Sequence, residues 1–197
     1  MARQEDWISV LEAAGAILNG HFLLSSGRHS ERYIQCAKAL ETPKTASVLG
    51  QALAEALDIS LDRIVAPPLG GLLIGYEVAR HLDVPFAFPE RGENGAFSFR
   101  RGFSLRPGER IGIIEDVITT GRTTRELLEL VCQSDAQPVA IGAIVDRSES
   151  HQVDGVTIRS LMTLEIPTFL PEACPSCQRG LPLRQPGSRP KTDKDAI

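Results

Sequence analysis

Several features that mark other protein classes are missing from this 197-residue sequence. No apolar run approaches the roughly 20 residues of a membrane-spanning helix, and the amino-terminal residues MARQEDWISV are too polar for a signal peptide. The net charge is −4, and no block of basic residues is present that would indicate nucleic-acid binding. We therefore expect a soluble protein with neither nucleic acid nor membrane as a partner.

Cysteine is also scarce. Cys36 and Cys132 are isolated, so the sequence does not indicate a disulfide framework, and we expect a reducing cytoplasm. Cys174 and Cys177 form a CxxC pair, and two thiolates are half of a zinc site. The other half would have to come from Cys36, Cys132, a histidine or another subunit. The alternative is a reduced structural turn without metal.

Lysine is the rarer of the two strongly basic residues. It occurs only at Lys38, Lys44, Lys191 and Lys194, and the remaining cations among the 21 are arginines. Any charge-assisted phosphate binding in the folded core therefore falls mainly to arginine, which binds phosphate as a planar fork. A Walker A loop is excluded because the sequence contains no GK[ST].

What is present is typical of a globular α/β protein, with 42% hydrophobic and 23% charged residues in a length that suits one domain with extensions. Buried strands are predicted near 63–66, 85–88, 138–145 and 156–161, and helices near 5–14, 42–57 and 72–82. This alternation predicts an open, mostly parallel sheet flanked by helices.

The stretch RIGIIEDVITTGRTTRE, at 110–126, combines a buried strand, an acidic pair, a hydroxyl-rich glycine turn and a helix start. Amides at a helix N-terminus favour an anion, and Gly121 lets the backbone close around it. Glu115 and Asp116 could hold sugar hydroxyls or a metal that phosphates share. A ligand with a phosphate and a diol is a ribose 5-phosphate. An ordinary turn with a capping threonine, or a phosphoacceptor aspartate, would explain fewer of these residues.

IIEDVITTGRT resembles the phosphoribosyl-pyrophosphate (PRPP) signature of the type I phosphoribosyltransferases. The resemblance implies their fold, with a small hood and a flap hairpin. It also implies that PRPP is a substrate and that Mg²⁺ is a cofactor, bound through PRPP without a direct protein ligand. The implied PRPP-binding residues are Glu115, Asp116, Val117, Ile118, Thr119, Thr120, Gly121, Arg122, Thr123, Leu69, Gly70 and Gly71.

The segment at 20–35, GHFLLSSGRHSERYIQ, resembles the amino-terminal block of the orotate phosphoribosyltransferases. It implies that Tyr33 and Ile34 bind orotate, that Arg147 at a strand end grips the orotate carboxylate, and that Thr119 helps to orient the base. The match departs from the family in two places, because the family commonly has a lysine where this chain has Ser25 and an aromatic pair where it has Tyr33 and Ile34. Outside this segment, the orotate enzymes usually have a lysine at the place of Gly70.

The polar stretch at 89–106 is predicted to be the flap. Arg91 in this stretch is a candidate catalytic residue, in addition to Glu115 and Asp116. The family pattern implies a homodimer in which the flap reaches a neighbouring subunit. We expect one phosphoribosyltransferase domain at 1–180, with the hood formed by 1–40 and about 156–180, and a disordered tail at 181–197.

The implied activity is transfer of ribose 5-phosphate from PRPP to orotate, which gives orotidine 5′-monophosphate and pyrophosphate, a step in making UMP. Two alternatives stay open at the level of sequence. One is a phosphoribosyltransferase for a purine base. The other is a non-catalytic regulator that binds PRPP, because this chain lacks the family's basic residues at Ser25, at Gly70 and in the flap.

Overall fold

The computed structural model describes residues 3–24 and 26–186. The chain forms two compact units, one from Met1–Ala16 with Cys36–Glu165 and the other from Ile17–Gln35 with Ile166–Ile197. The helices are α1 Gln4–Ala13, α2 Cys36–Leu40, α3 Pro43–Leu57, α4 Gly70–Leu82, α5 Arg122–Cys132 and α6 Pro175–Gln178, with a 3₁₀ turn at Pro171–Ala173. The strands are β1 Ile17–Leu23, β2 His29–Ile34, β3 Arg63–Val65, β4 Phe86–Ala87, β5 Pro89–Arg91, β6 Phe97–Phe99, β7 Arg110–Ile118, β8 Gln137–Asp146, β9 Gln152–Val153, β10 Val156–Thr163 and β11 Thr168–Phe169.

The larger unit is built on a six-stranded sheet in the order β4-β3-β7-β8-β10-β9. Every neighbouring pair is parallel except β9 and β10, which are antiparallel. The mostly parallel α/β sheet that the sequence predicts is thereby confirmed. Among the described residues, no helix has both the length and the apolar character needed to cross a membrane.

Strand β7 lies in the interior of this sheet because it is apolar on both faces. Ile113 belongs to the core cluster that also contains Leu127 and Val131 of α5. Ile114 points the other way, since successive side chains of a strand alternate between faces, and it packs near Gly142 together with α3. Both isoleucines are fully buried, as expected for a parallel strand covered by helices on both sides. The carboxyl end of β7 is thus held rigidly, and the acidic pair is positioned with it.

The smaller unit contains a three-stranded antiparallel sheet in the order β1-β2-β11. Phe22 of β1 is buried and its ring lies 5.9 Å from that of Tyr33 in β2. The carboxyl-terminal segment continues along the other side of β1, where Arg184 N–H donates to the carbonyl of His21 and Leu23 N–H donates to the carbonyl of Arg184.

Three predicted boundaries differ from the structure. The hood was expected to include 156–180, but Val156–Thr163 is a strand of the central sheet, where it pairs in parallel with β8. The first helix also belongs to the larger unit, so the smaller unit begins at Ile17. The tail was expected to be disordered from 181, yet residues 181–186 are ordered by the hydrogen bonds of Arg184 and of Leu181, whose carbonyl lies 2.9 Å from His21 Nδ1. The rest of the expected tail, 187–197, lies outside the described residues.

Candidate active site

The acidic pair lies at the carboxyl end of β7. Glu115 is buried, with 6% of its surface exposed, and its Oε1 accepts a hydrogen bond of 3.2 Å from the Thr124 hydroxyl. Asp116 is partly exposed, and its Oδ1 accepts a 2.9 Å bond from the Val117 N–H. One carboxyl group therefore lies beneath the surface and the other at its edge.

Burial changes the acidity of both groups. Desolvation raises the pKa of Glu115 to about 8, the adjacent Asp116 charge acts in the same direction, and the Thr124 hydrogen bond opposes them. Burial also raises the pKa of Asp116, while hydrogen bonds from backbone N–H groups lower it. The site is thus a place where negative charge is costly unless positive charge or donors arrive.

The turn after β7 forms a small cup. Gly121 has φ +68°, and a Cβ atom there would lie 2.8 Å from Val153 Cγ2, so both the backbone conformation and the space require glycine. Helix α5 begins at the next residue, and the amides of its first turn have no acceptor within the helix. The cup encloses about 70 Å³ and is lined by Glu115, Val117, Ile118, Thr119, Thr120, Gly121, Arg122, Thr123 and Thr124.

The glycine loop before α4 reaches the same acidic pair. A Cβ atom on Gly70 would lie 2.7 Å from Asp116 Oδ1, and one on Gly71 would lie 2.7 Å from the carbonyl oxygen of Ile114. Helix α4 starts at Gly70, so the amides of its first turn also lie at this edge of the sheet. Leu69, at the cap position, is 80% exposed. Two helix N-termini therefore flank one pair of carboxylates.

The two arginines of interest occupy different places. The backbone N–H of Arg147, just after β8, donates 2.8 Å to the carbonyl of Ile118, so this residue is beside the cup. Arg91, in the predicted flap, forms a 2.7 Å ion pair with Glu126 of α5, and its guanidinium lies 3.9 Å from the centre of the Phe97 ring. The predicted flap contains the β5–β6 hairpin that the sequence predicts, and Arg91 joins this hairpin to α5 of the same chain.

The remaining predicted site residues belong to the smaller unit. Tyr33 and Ile34 are in β2, with Ile34 buried and Tyr33 partly exposed. Cys174 and Cys177 are at the start of α6 and within it, respectively. The orotate-binding role of the first pair and the metal-binding role of the second stay predictions at this point.

Two residues of the site were missed by sequence reasoning. Thr124 directly follows the predicted cup, and its hydroxyl donates a hydrogen bond to Glu115. The second pair of threonines in TTGRTT is the sequence feature that could have indicated this residue. Glu126 accepts from both Arg91 and Arg122, at 2.7 and 3.2 Å. Its spacing of four residues from Arg122 on a helix predicts only the second contact.

The cup is not the largest concavity in the described part of the chain, since one of about 370 Å³ lies beside Tyr76 and Phe86. A concavity of about 350 Å³ lies between α3 and β10, lined by Trp7, Val48, Gln51, Ala52, Glu55, Ala56, Ser160 and Leu161. This lining includes a single acid and no glycine turn, so it lacks the groups that bind phosphate. The chemistry therefore identifies the smaller cup as the candidate site.

Comparisons with known proteins show the family and the fold. The family model for the phosphoribosyl transferase domain matches residues 40–169. An orotate phosphoribosyltransferase of Thermotoga maritima is 44% identical over 181 residues, which are 91% of this chain and 96% of that protein. The crystal structure of orotate phosphoribosyltransferase from Aeropyrum pernix matches with a TM-score of 0.69 at 27% identity, over 79% of this chain and 92% of that one.

An adenine phosphoribosyltransferase from Thermoanaerobacter pseudethanolicus matches less well, with a TM-score of 0.60 at 23% identity over 68% of this chain and 88% of that one. The fold is therefore common to enzymes named for different bases, whereas the sequence relative is named for orotate. The predicted fold and family are confirmed: this chain belongs to the phosphoribosyltransferase family, among relatives named orotate phosphoribosyltransferase.

Proposed function

We propose that this chain is an orotate phosphoribosyltransferase, which transfers ribose 5-phosphate from PRPP to N1 of orotate and releases orotidine 5′-monophosphate and pyrophosphate. The observation that carries the site assignment is the convergence of the TTGRT cup, the acidic pair and the Gly70–Gly71 loop, with Gly70 placed against Asp116. Phosphate at one helix N-terminus, pyrophosphate at another and a ribose between them match these three parts.

In this proposal the cup formed by Thr119–Thr123 binds the 5′-phosphate through amides and hydroxyls. The amides of Leu69–Gly71 bind the pyrophosphate, since Gly70 and Gly71 leave no side chain between the backbone and its ligand. Glu115 and Asp116 accept hydrogen bonds from the ribose hydroxyls. The sugar is then held at both ends, which fixes its reacting carbon relative to the base.

Bond breaking at C1′ before the new bond is complete leaves positive charge on the ribose. The carboxyl groups of Glu115 and Asp116 lie in a desolvated place, where a negative charge on either group acts more strongly than in water. Their raised pKa values indicate how unfavourable this negative charge is in the ligand-free protein. The cationic transition state relieves that cost, and this difference between states is what accelerates a reaction.

The donor set also suits magnesium. Carboxylate, hydroxyl and phosphate oxygens are the ligands that Mg²⁺ prefers, and we propose that it enters on the PRPP phosphates with Glu115 and Asp116 close by. When bound, it neutralises the charge of the departing pyrophosphate. Because no lysine occurs between Lys44 and Lys191, this chain's own donors to the pyrophosphate are backbone amides and arginine.

Base selection is assigned to residues beside the cup. The backbone of Arg147 is bonded to Ile118 beside the cup, and this proximity supports the proposal that its guanidinium binds the orotate carboxylate while Thr119 orients the ring. Tyr33 and Ile34 are proposed as further contacts to orotate. The resemblance to orotate enzymes also supports a cytoplasmic homodimer in which Arg91 acts from the flap once its pair with Glu126 opens.

One experiment separates this proposal from its alternatives. Steady-state assays with PRPP and Mg²⁺ should show consumption of orotate and none of adenine, guanine or hypoxanthine. Asp116→Asn should keep the fold and reduce turnover by about 10- to 1000-fold through lost transition-state stabilisation. Asp83→Asn, at the opposite end of α4 in a left-handed conformation that asparagine tolerates, is the control.

Turnover of a purine base in place of orotate would support the purine enzyme instead. PRPP binding without turnover of any base would support the regulator. Wild-type turnover in folded Asp116→Asn would remove this carboxylate from the mechanism.

A further inference from the structure

The smaller unit contains a cluster that the phosphoribosyl transfer does not use. His21 of β1, His29 of β2 and the two cysteines of the CxxC pair, Cys174 and Cys177, each offer one ligand atom, and these four atoms lie within 4.8 Å of one another. Both cysteines are free thiols. We propose that these four residues bind a structural zinc ion.

The distances between the ligand atoms suit a tetrahedral ion. Zn–S bonds of about 2.3 Å and Zn–N bonds of about 2.0–2.1 Å place neighbouring ligand atoms roughly 3.3–3.8 Å apart. His21 Nε2 lies 3.5 Å from each cysteine sulfur, and Cys177 Sγ lies 3.2 Å from His29 Nδ1. The two histidine nitrogens are 2.9 Å apart and the four ligand atoms all lie within 4.8 Å of one another, so side-chain shifts of about 1 Å would bring them to the spacing of a tetrahedral site.

Hydrogen bonding alone accounts poorly for this arrangement. His21 Nδ1 is 2.9 Å from the carbonyl oxygen of Leu181, which can only accept, so Nδ1 carries the proton and Nε2 presents a lone pair. That single lone pair faces His29, Cys174 and Cys177 at once. One lone pair cannot accept three aligned hydrogen bonds, whereas one cation at the centre is bound by all four atoms. A bond from the second imidazole nitrogen to a carbonyl is also the usual way in which a metal-binding histidine is oriented.

The composition of the unit's interior points in the same direction. Among its described residues, the buried ones are His21, Phe22, His29, Ser30, Ile34, Cys174 and Ser176. Only two of these are large apolar side chains, so the unit has little hydrophobic core of its own. Small units with few apolar residues are commonly stabilised by a metal or by disulfides.

The CxxC turn is also fixed to β2 by polar contacts. The Ser176 hydroxyl donates a 2.8 Å bond to Glu31, and the guanidinium of Arg179 contacts the same carboxylate. These bonds position the cysteines against the histidine hairpin. Cys177 is exposed at the rim, which leaves an access path for the ion.

Two imidazoles and two thiolates identify the ion by chemical class. A tetrahedral S₂N₂ set selects zinc over the hard cations that phosphate chemistry uses. Four protein ligands leave no open position, so the ion holds β1 and β2 to the carboxyl-terminal segment and takes no part in catalysis. The missing half of the CxxC site is therefore a pair of histidines from the same chain.

Elemental analysis of the full chain, purified without chelator from zinc-supplemented medium, should find about one zinc per chain. Replacement by Co²⁺ should give the visible absorption of a tetrahedral site with a sulfur-to-cobalt charge-transfer band. A metal-free protein that also fails to take up Co²⁺ after thiol reduction would overturn the proposal. This arm needs no variant.

Cys177→Ser and His29→Gln should each reduce the bound zinc well below one per chain, whereas Cys132→Ser should retain it, because Cys132 is an exposed thiol of α5 outside the cluster. Retention of full zinc by a folded Cys174→Ser, Cys177→Ser double variant would place the ion elsewhere and refute the assignment. If that variant does not fold, chelation of the wild type decides: loss of zinc should lower Tm, and added Zn²⁺ should restore it. An unchanged Tm would refute a structural role. These measurements do not depend on turnover of PRPP.

Discussion

Glu115→Gln tests the central electrostatic feature of the site. We expect this variant to be more stable than the wild type at high pH and close to it at low pH, although it should lose activity. The folded-state pKa of Glu115 is about 8 and lies above the ordinary glutamate value of 4.5. The folded protein therefore holds an extra proton between these two values, and its stability falls as the pH rises through that window. Glutamine is neutral throughout and escapes this loss.

The size of the effect follows from the same shift. At about 1.4 kcal/mol per pKa unit, the full displacement corresponds to an upper limit of roughly 5 kcal/mol above pH 8. Asp116 shares the unfavourable charge, and the new amide must be hydrogen-bonded where it is buried, so we expect a net gain of about 1–3 kcal/mol at pH 9. For a protein of this size each kcal/mol changes Tm by about 2–4 °C. The oxygen of glutamine can still accept from Thr124, which preserves the local packing.

Thermal unfolding of both proteins at pH 5.5, 7 and 9 measures this directly. The difference in Tm should be small at pH 5.5 and grow to roughly 2–12 °C at pH 9. Glu109→Gln is the matched control, since Glu109 is also a buried glutamate, with 4% exposure, but pairs with Arg63 at 2.9 Å. That variant loses an ion pair and should be destabilised, with no gain at high pH. A pH-independent Tm difference for Glu115→Gln would refute the reasoning.

Three further predictions concern ligand contacts. Arg147→Ala should raise the orotate KM by an amount equivalent to about 2–5 kcal/mol, with little change in PRPP binding. Loss of PRPP binding with normal orotate binding would contradict the assignment of Arg147 to the orotate half of the site. Arg91→Ala should lower kcat far more than Arg91→Lys does, and neither change should alter Tm much. If the flap acts across a dimer, mixing Arg91→Ala subunits with Asp116→Asn subunits should restore activity. No recovery after confirmed subunit exchange would place Arg91 within its own chain's site. Gly70→Ala should raise the PRPP KM at least tenfold, because its Cβ would lie 2.7 Å from Asp116 Oδ1, and an unchanged KM would remove this loop from PRPP binding.

The motif at 110–126 could be predicted from the sequence because its chemistry is local. Strand, acids, turn and helix follow one another, and the fold only has to present them at the edge of the sheet. The approach of Gly70 to Asp116 is not local, and it depends on β3 and β7 being neighbours in the sheet. The resemblance assigned both segments to PRPP binding, but spacing along the chain could not show that they meet.

The histidine ligands were harder to find. His21 and His29 lie close together because β1 and β2 pair around a short turn. Their proximity to the CxxC turn depends on a segment that lies about 150 residues later in the sequence. The prediction that Val156–Thr163 belongs to the hood is wrong for a similar reason. Its sequence is compatible with a strand in either sheet, and only its pairing with β8 assigns it to the central sheet. Residues 181–186 have a tail-like composition, and their order comes from contacts with β1 that the sequence does not reveal.

The discontinuity of the smaller unit has a consequence for biosynthesis. Its hairpin, Ile17–Ile34, is translated before the central sheet of the larger unit, whereas Thr168–Phe169 and the cysteines that complete the unit are translated after it. At bacterial and eukaryotic elongation rates this delay is on the order of 10 s, which is long compared with the microseconds in which a hairpin forms. During that interval Phe22 and the two histidines are without their later neighbours, so the smaller unit can be completed only after the larger unit has been translated.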